Sequence, residues 1–318
     1  MRLDLVGLIE KVDTTFFARN NARQRWGWVG YGLTILALIF LVFTFFSDQL
    51  NLQVINLRTI WPTILISLSI YLFSLLVQFI VWARLISFHG KITWKDVEIY
   101  SRMIMMRRIP GGPWHWLGRS AMYRTSTELP LRVPLLGSMV EWILMFIVCG
   151  ALFIFSLERI QSWMSFLLIS VLFIISMGIA ISWQPKQRPI LNRAIESGGW
   201  ILLYLLAWIS SYLIFSILLN GIGVTNIGWR EELRIWTLSA GIGMLFVLFP
   251  ATFGIVEASL ATLLQQYINP PLAVLVAIAI RLIYTIADAM WGILGWVFSK
   301  YLFNHFEISN QKPPLSEQ

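Results

Sequence analysis

The sequence predicts an all-α polytopic membrane protein: six full transmembrane helices plus two broken or re-entrant helical hairpins, arranged as an inverted repeat. Three observations carry this prediction. The 318 residues are 58% hydrophobic and only 13% charged, with a mean hydropathy of +0.73, a balance outside the range of soluble domains. Apolar runs of about 20 residues, enough to cross a hydrocarbon core, recur six times. Two further apolar stretches are each interrupted by a proline, at matching places in the two halves: Ile109-Pro110-Gly111-Gly112-Pro113-Trp114 and Phe249-Pro250-Ala251-Thr252-Phe253-Gly254. A membrane admits such a break only where protein or a water-filled cavity satisfies the freed backbone groups, and paired breaks mark transport sites.

Residues 1–25 place Leu5, Leu8, Ile9, Val12 and Phe16 at helical spacing opposite Asp4, Glu10, Lys11 and Asp13. This pattern fits an amphipathic helix lying on the membrane surface. No cleavable signal peptide is evident, so the N-terminus is expected to be retained. A single transmembrane domain follows over 26–299, with crossings at 26–46, 60–86, 133–156, 162–183, 200–220 and 271–298. The broken stretches, about 97–125 and 233–267, divide into segments of roughly 14 residues, too short to span alone. The inverted halves run about 26–156 and 157–299, each in the order crossing, crossing, hairpin, crossing. Three crossings are an odd number, so the second half enters from the opposite side and the two broken tips converge toward the midplane. Residues 300–318 form a cytoplasmic tail whose polar end, with Pro313-Pro314, predicts partial disorder.

With the N-terminus inside, 24 Lys and Arg residues distribute to the cytoplasmic side except for Arg58, Arg159, Arg230, Arg234 and the intramembrane Arg281. The positive-inside rule therefore assigns a multi-pass protein of the cytoplasmic (inner) membrane with both termini cytoplasmic. Its basic face meets anionic membrane lipids. Nothing in the pattern calls for nucleic acid.

Four ionisable residues interrupt apolar runs: Glu141, Glu257, Arg281 and Asp288. Each costs about 2.5–3.5 kcal/mol at a helix centre, so they must be paired, hydrated or both. Arg281 lies roughly 15 Å into its span, close to the midplane. Asp288 shares its helix face but is about 10 Å further along, too far for contact, so each needs a partner elsewhere. Glu257 opens the helix after the Pro250 break, where a carboxylate suits the N-terminal dipole. Interhelical ion pairing is the competing reading for all four.

Around the first break, Arg107, Arg108, Arg119 and Arg124 flank Pro110, Gly111 and Gly112, with Trp114, His115 and Trp116 between them. Glycines let backbone N–H groups approach a ligand, and a guanidinium grips phosphate bidentately. A lipid phosphate headgroup fits such a pocket. Arg107 and Arg108 read equally well as membrane-edge anchors, and Arg119, deeper in the hairpin, is the better phosphate ligand. His115 can exchange protons near neutral pH, although a lone histidine more often only hydrogen-bonds. The group Arg230, Glu231, Glu232 and Arg234 reads as a solvated face. Cys149 stands alone and the three histidines are scattered, so no disulfide, metal site or cofactor is expected. GxxxxGK[ST], HExxH and GxSxG are absent, which speaks against a nucleotide motor, a zincin or a serine hydrolase. No enzymatic activity is expected.

The run from Arg108 to Arg119 with Glu141, and the run from Phe249 to Glu257 with Arg281, resemble the lysylphosphatidylglycerol synthase transmembrane-region family, also called flippase-like membrane proteins. The family's Pro-Gly pair followed by an Arg maps onto Pro110, Gly111 and Arg119. Its Pro-Gly-Gly-x-Gly-x-x-Glu motif maps onto Pro250, Gly254 and Glu257, with Ala251 and Thr252 standing where the motif has glycines. The resemblance covers most of the chain and implies lipid movement between leaflets. The lysyl-transferring members carry a soluble catalytic domain that these residues do not contain, so aminoacyl transfer is not implied.

The functional expectation is a flippase-like transporter for a phospholipid or isoprenoid-linked glycolipid. Arg119 and Arg281 receive the phosphate, Glu257, Glu141 and Asp288 balance charge, and Trp114, His115 and Arg124 complete the pocket. Pro110, Gly111, Gly112, Pro250 and Gly254 hold the tips open. Two rivals share the sequence: a secondary transporter of a small anion or proton-coupled solute, and a non-transporting membrane partner of an envelope glycosyltransferase. A second copy of the chain or an envelope-assembly enzyme is the protein partner to expect.

Overall fold

The computed structural model describes residues 57–88, 93–107, 114–126, 129–157, 162–246 and 254–310, together with the isolated positions 39 and 42. Among these residues every regular element is a helix: α1 Leu57–Ser87, α2 Trp94–Met106, α3 Trp114–Ser126, α4 Arg132–Ser156, α5 Ser162–Trp183, α6 Ile190–Gly221, α7 Trp229–Leu245, α8 Ile255–Leu264 and α9 Pro270–Asn310. The expected surface helix, the first crossing apart from Ile39 and Val42, the tail end and the residues Pro110, Gly111, Gly112 and Pro250 lie outside the described residues.

Among the described residues, five helices are long and apolar enough to cross a membrane: α1, α4, α5, α6 and α9. This is the architecture of a multi-pass helical membrane protein. The remaining four fall into two pairs. α2 and α3, of 13 residues each, rise only about 20 Å, short of the roughly 30 Å hydrocarbon thickness. α7 and α8, of 17 and 10 residues, are likewise too short. Within each pair the two helices pack on each other; the proline-led connections that join them lie outside the described residues.

Local chemistry sets where these short helices begin. Asp96 accepts hydrogen bonds from the Thr93 backbone N–H and, at 2.9 Å, from its hydroxyl, a reciprocal cap on α2. Gly254 precedes α8 with φ at 87°, a left-handed conformation that a side chain would strain. Its N–H donates to Glu257 Oε2 at 3.0 Å, so the carboxylate binds the start of its own helix.

α1 packs on α6, α2 and α8 pack on α9, and α4 packs on α5 and α7. The buried centre is aromatic as well as aliphatic: Trp82, Tyr100, Tyr123, Trp200, Tyr204 and Phe215 are almost wholly enclosed. α5 differs, presenting Phe166, Leu167, Val171, Ile174 and Ile175 outward, as a helix bordering acyl chains does.

Candidate functional site: a cavity ringed by crossed ion pairs

Every charge that the sequence places in apolar surroundings finds an opposite charge on another helix. Arg119 of α3 donates to Glu141 Oε2 of α4 at 2.9 Å. Arg281 of α9 lies 3.1 Å from Glu257 Oε1 of α8. Arg107, closing α2, reaches Asp288 of α9 at 3.7 Å. Arg281 and Asp288 each reach a partner on another helix, as their axial separation predicts.

All of these side chains except Asp288, which lies beside Arg107, line one cavity of about 290 Å³. The end of α2 and the start of α3 bring Arg107, His115 and Arg119 to it; the end of α7 and the start of α8 bring Gly243, Met244, Val256 and Glu257. The two interrupted hairpins therefore open onto the same space. α1, α4, α6 and α9 close the walls, with Tyr71, Glu141, Trp208 and Arg281 among the lining groups.

The walls hold their cations in fixed postures. The Arg119 guanidinium lies 4.0 Å from the Trp82 ring and 4.9 Å from the Tyr100 ring, a cation–π clamp in a desolvated setting. Its Nε has no hydrogen-bond partner among the described residues. Arg107 donates to the Tyr71 hydroxyl and, at 3.3 Å, to Gln78 Oε1. Gln78 donates onward to Ser74, so α1 supplies a polar ladder behind Arg107. Tyr71 stacks on Tyr284 with ring centroids 4.2 Å apart. Tyr284 and Ser211 share a hydrogen bond of 2.7 Å, and Trp236 meets the Tyr284 ring edge-on. The result is a polar hollow with aromatic walls, lined by three arginines and two glutamates, with Asp288 outside the lining beside Arg107.

Arg119, Arg281, Glu257, Glu141 and His115 all line this cavity, and Asp288 joins it through Arg107. Arg124 does not. It is exposed in the last turn of α3, the distant end of a helix whose first turns face the cavity. Trp114 opens α3, and its side chain lies outside what the structure describes. His115 belongs to the first turn of α3 rather than to a loop, and its ring meets Trp116 edge-on at 5.4 Å.

Two readings need correction. Arg107, weighed as a membrane-edge anchor, lines the cavity beside Arg119 and Arg281. Its signal in the sequence was its place next to the break, but the partners that turn it inward, Tyr71 and Gln78, come from a distant helix. The charged group at the start of α7 is not a uniformly solvated face either. Glu232 is buried and accepts a hydrogen bond from Tyr212 at 3.3 Å, while Glu231 accepts from Arg234 and Tyr267. Burial, reinforced by that carboxylate, raises the Tyr267 phenol above its ordinary range. These contacts tie the start of α7 to α6 and to the connection before α9.

Among the described residues no cluster of three or more His, Cys, Asp or Glu side chains is arranged to hold a metal ion. No protein-family model and no curated protein matches the chain.

Proposed function

We propose that the chain moves a phosphate-bearing lipid between the leaflets of the cytoplasmic membrane, performing no covalent chemistry. One observation carries the reading: two interrupted hairpins from different halves of the chain open onto one cavity that holds three arginines. Helix breaks at such a site expose backbone donors, and guanidinium groups bind phosphate oxygens bidentately. The aromatic walls suit the carbon-rich parts of a headgroup. The likeness of both break motifs to the flippase-like family supports the same activity. In this reading the halves about 26–156 and 157–299 are inverted relatives, both termini are cytoplasmic, and alternating access comes from rocking one hairpin against the other.

A second reading follows from size. At about 290 Å³ the cavity is at the low end of ligand sites, roughly 300–1,000 Å³. It takes a lipid headgroup with its tails outside, or a small free anion entire. One experiment separates them. Purified protein is reconstituted in vesicles with fluorescent-headgroup phosphatidylglycerol, and the fraction protected from an external quencher is followed over time. Wild type is expected to move the lipid and Arg281→Ala to slow it about tenfold or more, the effect of losing a charge-assisted hydrogen bond. Equal rates in the two proteins overturn the assignment of Arg281. Phosphate uptake without lipid movement selects the small-anion reading.

A further inference from the structure

Some donors in the cavity wall have nothing to donate to. Of the four indoles in the lining, Trp208 has the ordinary arrangement: its N–H donates to the Met145 carbonyl at 3.0 Å. The indole N–H groups of Trp142 on α4 and Trp236 on α7 are enclosed and meet no acceptor among the described residues, and neither does Nε of Arg119 on α3. Arg119 and Trp236 are each 4% exposed, so bulk water does not make up the deficit. A buried donor without an acceptor bears its full desolvation cost, and native structures leave few of them. Here three helices each bring one to the wall of a single cavity.

All three are of one kind. An indole N–H and an arginine Nε–H donate and cannot accept. The carboxylates of the lining already serve arginines: Glu141 holds Arg119 at 2.9 Å and Glu257 holds Arg281 at 3.1 Å. Gln78 Oε1 likewise accepts from Arg107 at 3.3 Å. The group that completes such a wall therefore brings acceptors, as phosphate oxygens do. An ammonium brings three donors and no acceptor. It also meets three guanidinium groups of its own sign, and it reaches Glu141 or Glu257 only in competition with an arginine.

Resting on the translocation reading above, we propose that the cavity selects a lipid headgroup whose only charge is its phosphate and turns away one that also carries an ammonium. Trp142, Trp236 and the Nε edge of Arg119 are the specificity determinants. Entry of the headgroup turns these side chains toward its oxygens, and the three guanidinium groups hold its charge. The two indoles come from different halves of the chain, so a headgroup bonded to both ties α4 to α7 across the site.

The test measures binding, not transport. Purified protein in a neutral detergent is titrated by calorimetry with dihexanoyl phosphatidylethanol, dihexanoyl phosphatidylethanolamine and inorganic phosphate; the two lipids differ only in the ammonium. Wild type is expected to bind phosphatidylethanol about tenfold or more tighter than phosphatidylethanolamine, the effect of forcing like charges together. Protein carrying ¹⁵N-indole tryptophan then reports on the donors. The Trp142 and Trp236 N–H resonances, assigned by their loss in Trp142→Phe and Trp236→Phe, are expected to move downfield with phosphatidylethanol as each gains an acceptor. Equal or tighter binding of phosphatidylethanolamine overturns the selectivity and leaves lipid translocation standing. A preference for phosphatidylethanol with both indole resonances unmoved overturns the assignment of the determinants, since a basic protein's general attraction for anionic lipid moves neither. Binding of inorganic phosphate with neither lipid bound takes down the translocation reading and this proposal together, as does binding of none of the three.

Discussion

Arg119 stands in the basic group around the first break and Arg281 alone in an apolar run, and their surroundings in the fold differ as well. Removing one partner of a buried ion pair strands the other, at a cost of about 3–5 kcal/mol. Arg119→Ala is therefore expected to destabilise the protein by about 3–5 kcal/mol, because Glu141 lies in an enclosed site with no other cation bonded to it among the described residues. Arg119→Ala with Glu141→Leu is expected to recover most of that loss, since no charge is then stranded. Thermal melting in detergent checks both; equal melting of Arg119→Ala and wild type would remove the clamp from the account. The four intramembrane charges were legible in the sequence because hydrocarbon makes an unpaired ion so costly that each announces a partner. Which partner was not legible. Glu141 finds Arg119, Glu257 finds Arg281 and Asp288 finds Arg107 only through helix packing, which residue spacing within one segment does not encode.

Helix approach decides whether those partners meet. α2 crosses α9 where Gly292 and Gly295 leave room, and a Cβ at either would overlap Met105 or Ser101 respectively. Asp288 precedes this crossing on α9 and Arg107 ends α2, so the glycines bring the third ion pair into range. Gly295→Val is expected to cost about 1–3 kcal/mol by overpacking and to separate Arg107 from Asp288. The readout is a double-mutant cycle: the coupling between Arg107→Ala and Asp288→Asn, present in wild type, is expected to vanish in the Gly295→Val background. Persistence of the coupling would show that the glycines do not set the pair. Gly243 plays a similar part inside the second hairpin, where a Cβ would run into Val256. The short helices themselves were readable as segments interrupted by proline; the glycines that pack them were not, because a helical glycine carries no directional signal until its neighbour is known.

For the molecule as a whole, hydropathy and length found the described long helices within a few residues, with two exceptions: α6 starts at Ile190 rather than near Trp200, and α9 runs on to Asn310 rather than ending near Phe298, so the start of the expected tail is helical. The first turns of α6 are polar and pass beneath a hydropathy threshold, although Gln184 donates to the Arg193 carbonyl and to Ser197 and so fastens that extension to the end of α5. The orientation proposed here makes the connection between α5 and α6 cytoplasmic and the connection between α6 and α7 external. Single cysteines placed on a Cys149→Ser background test it. Lys186→Cys is expected to react with an impermeant maleimide only in inverted vesicles, and Asn226→Cys only in intact cells. Labelling of both from the same side would refute the orientation.

The cavity also carries its own lamp. Trp116, Trp142, Trp208 and Trp236 all line it, and indole emission responds to the polarity and charge of whatever lies against the ring. An unmodified protein thus holds an optical gauge of occupancy, and titrating unlabelled lipids against its ultraviolet fluorescence ranks headgroups by preference before any carrier assay is built.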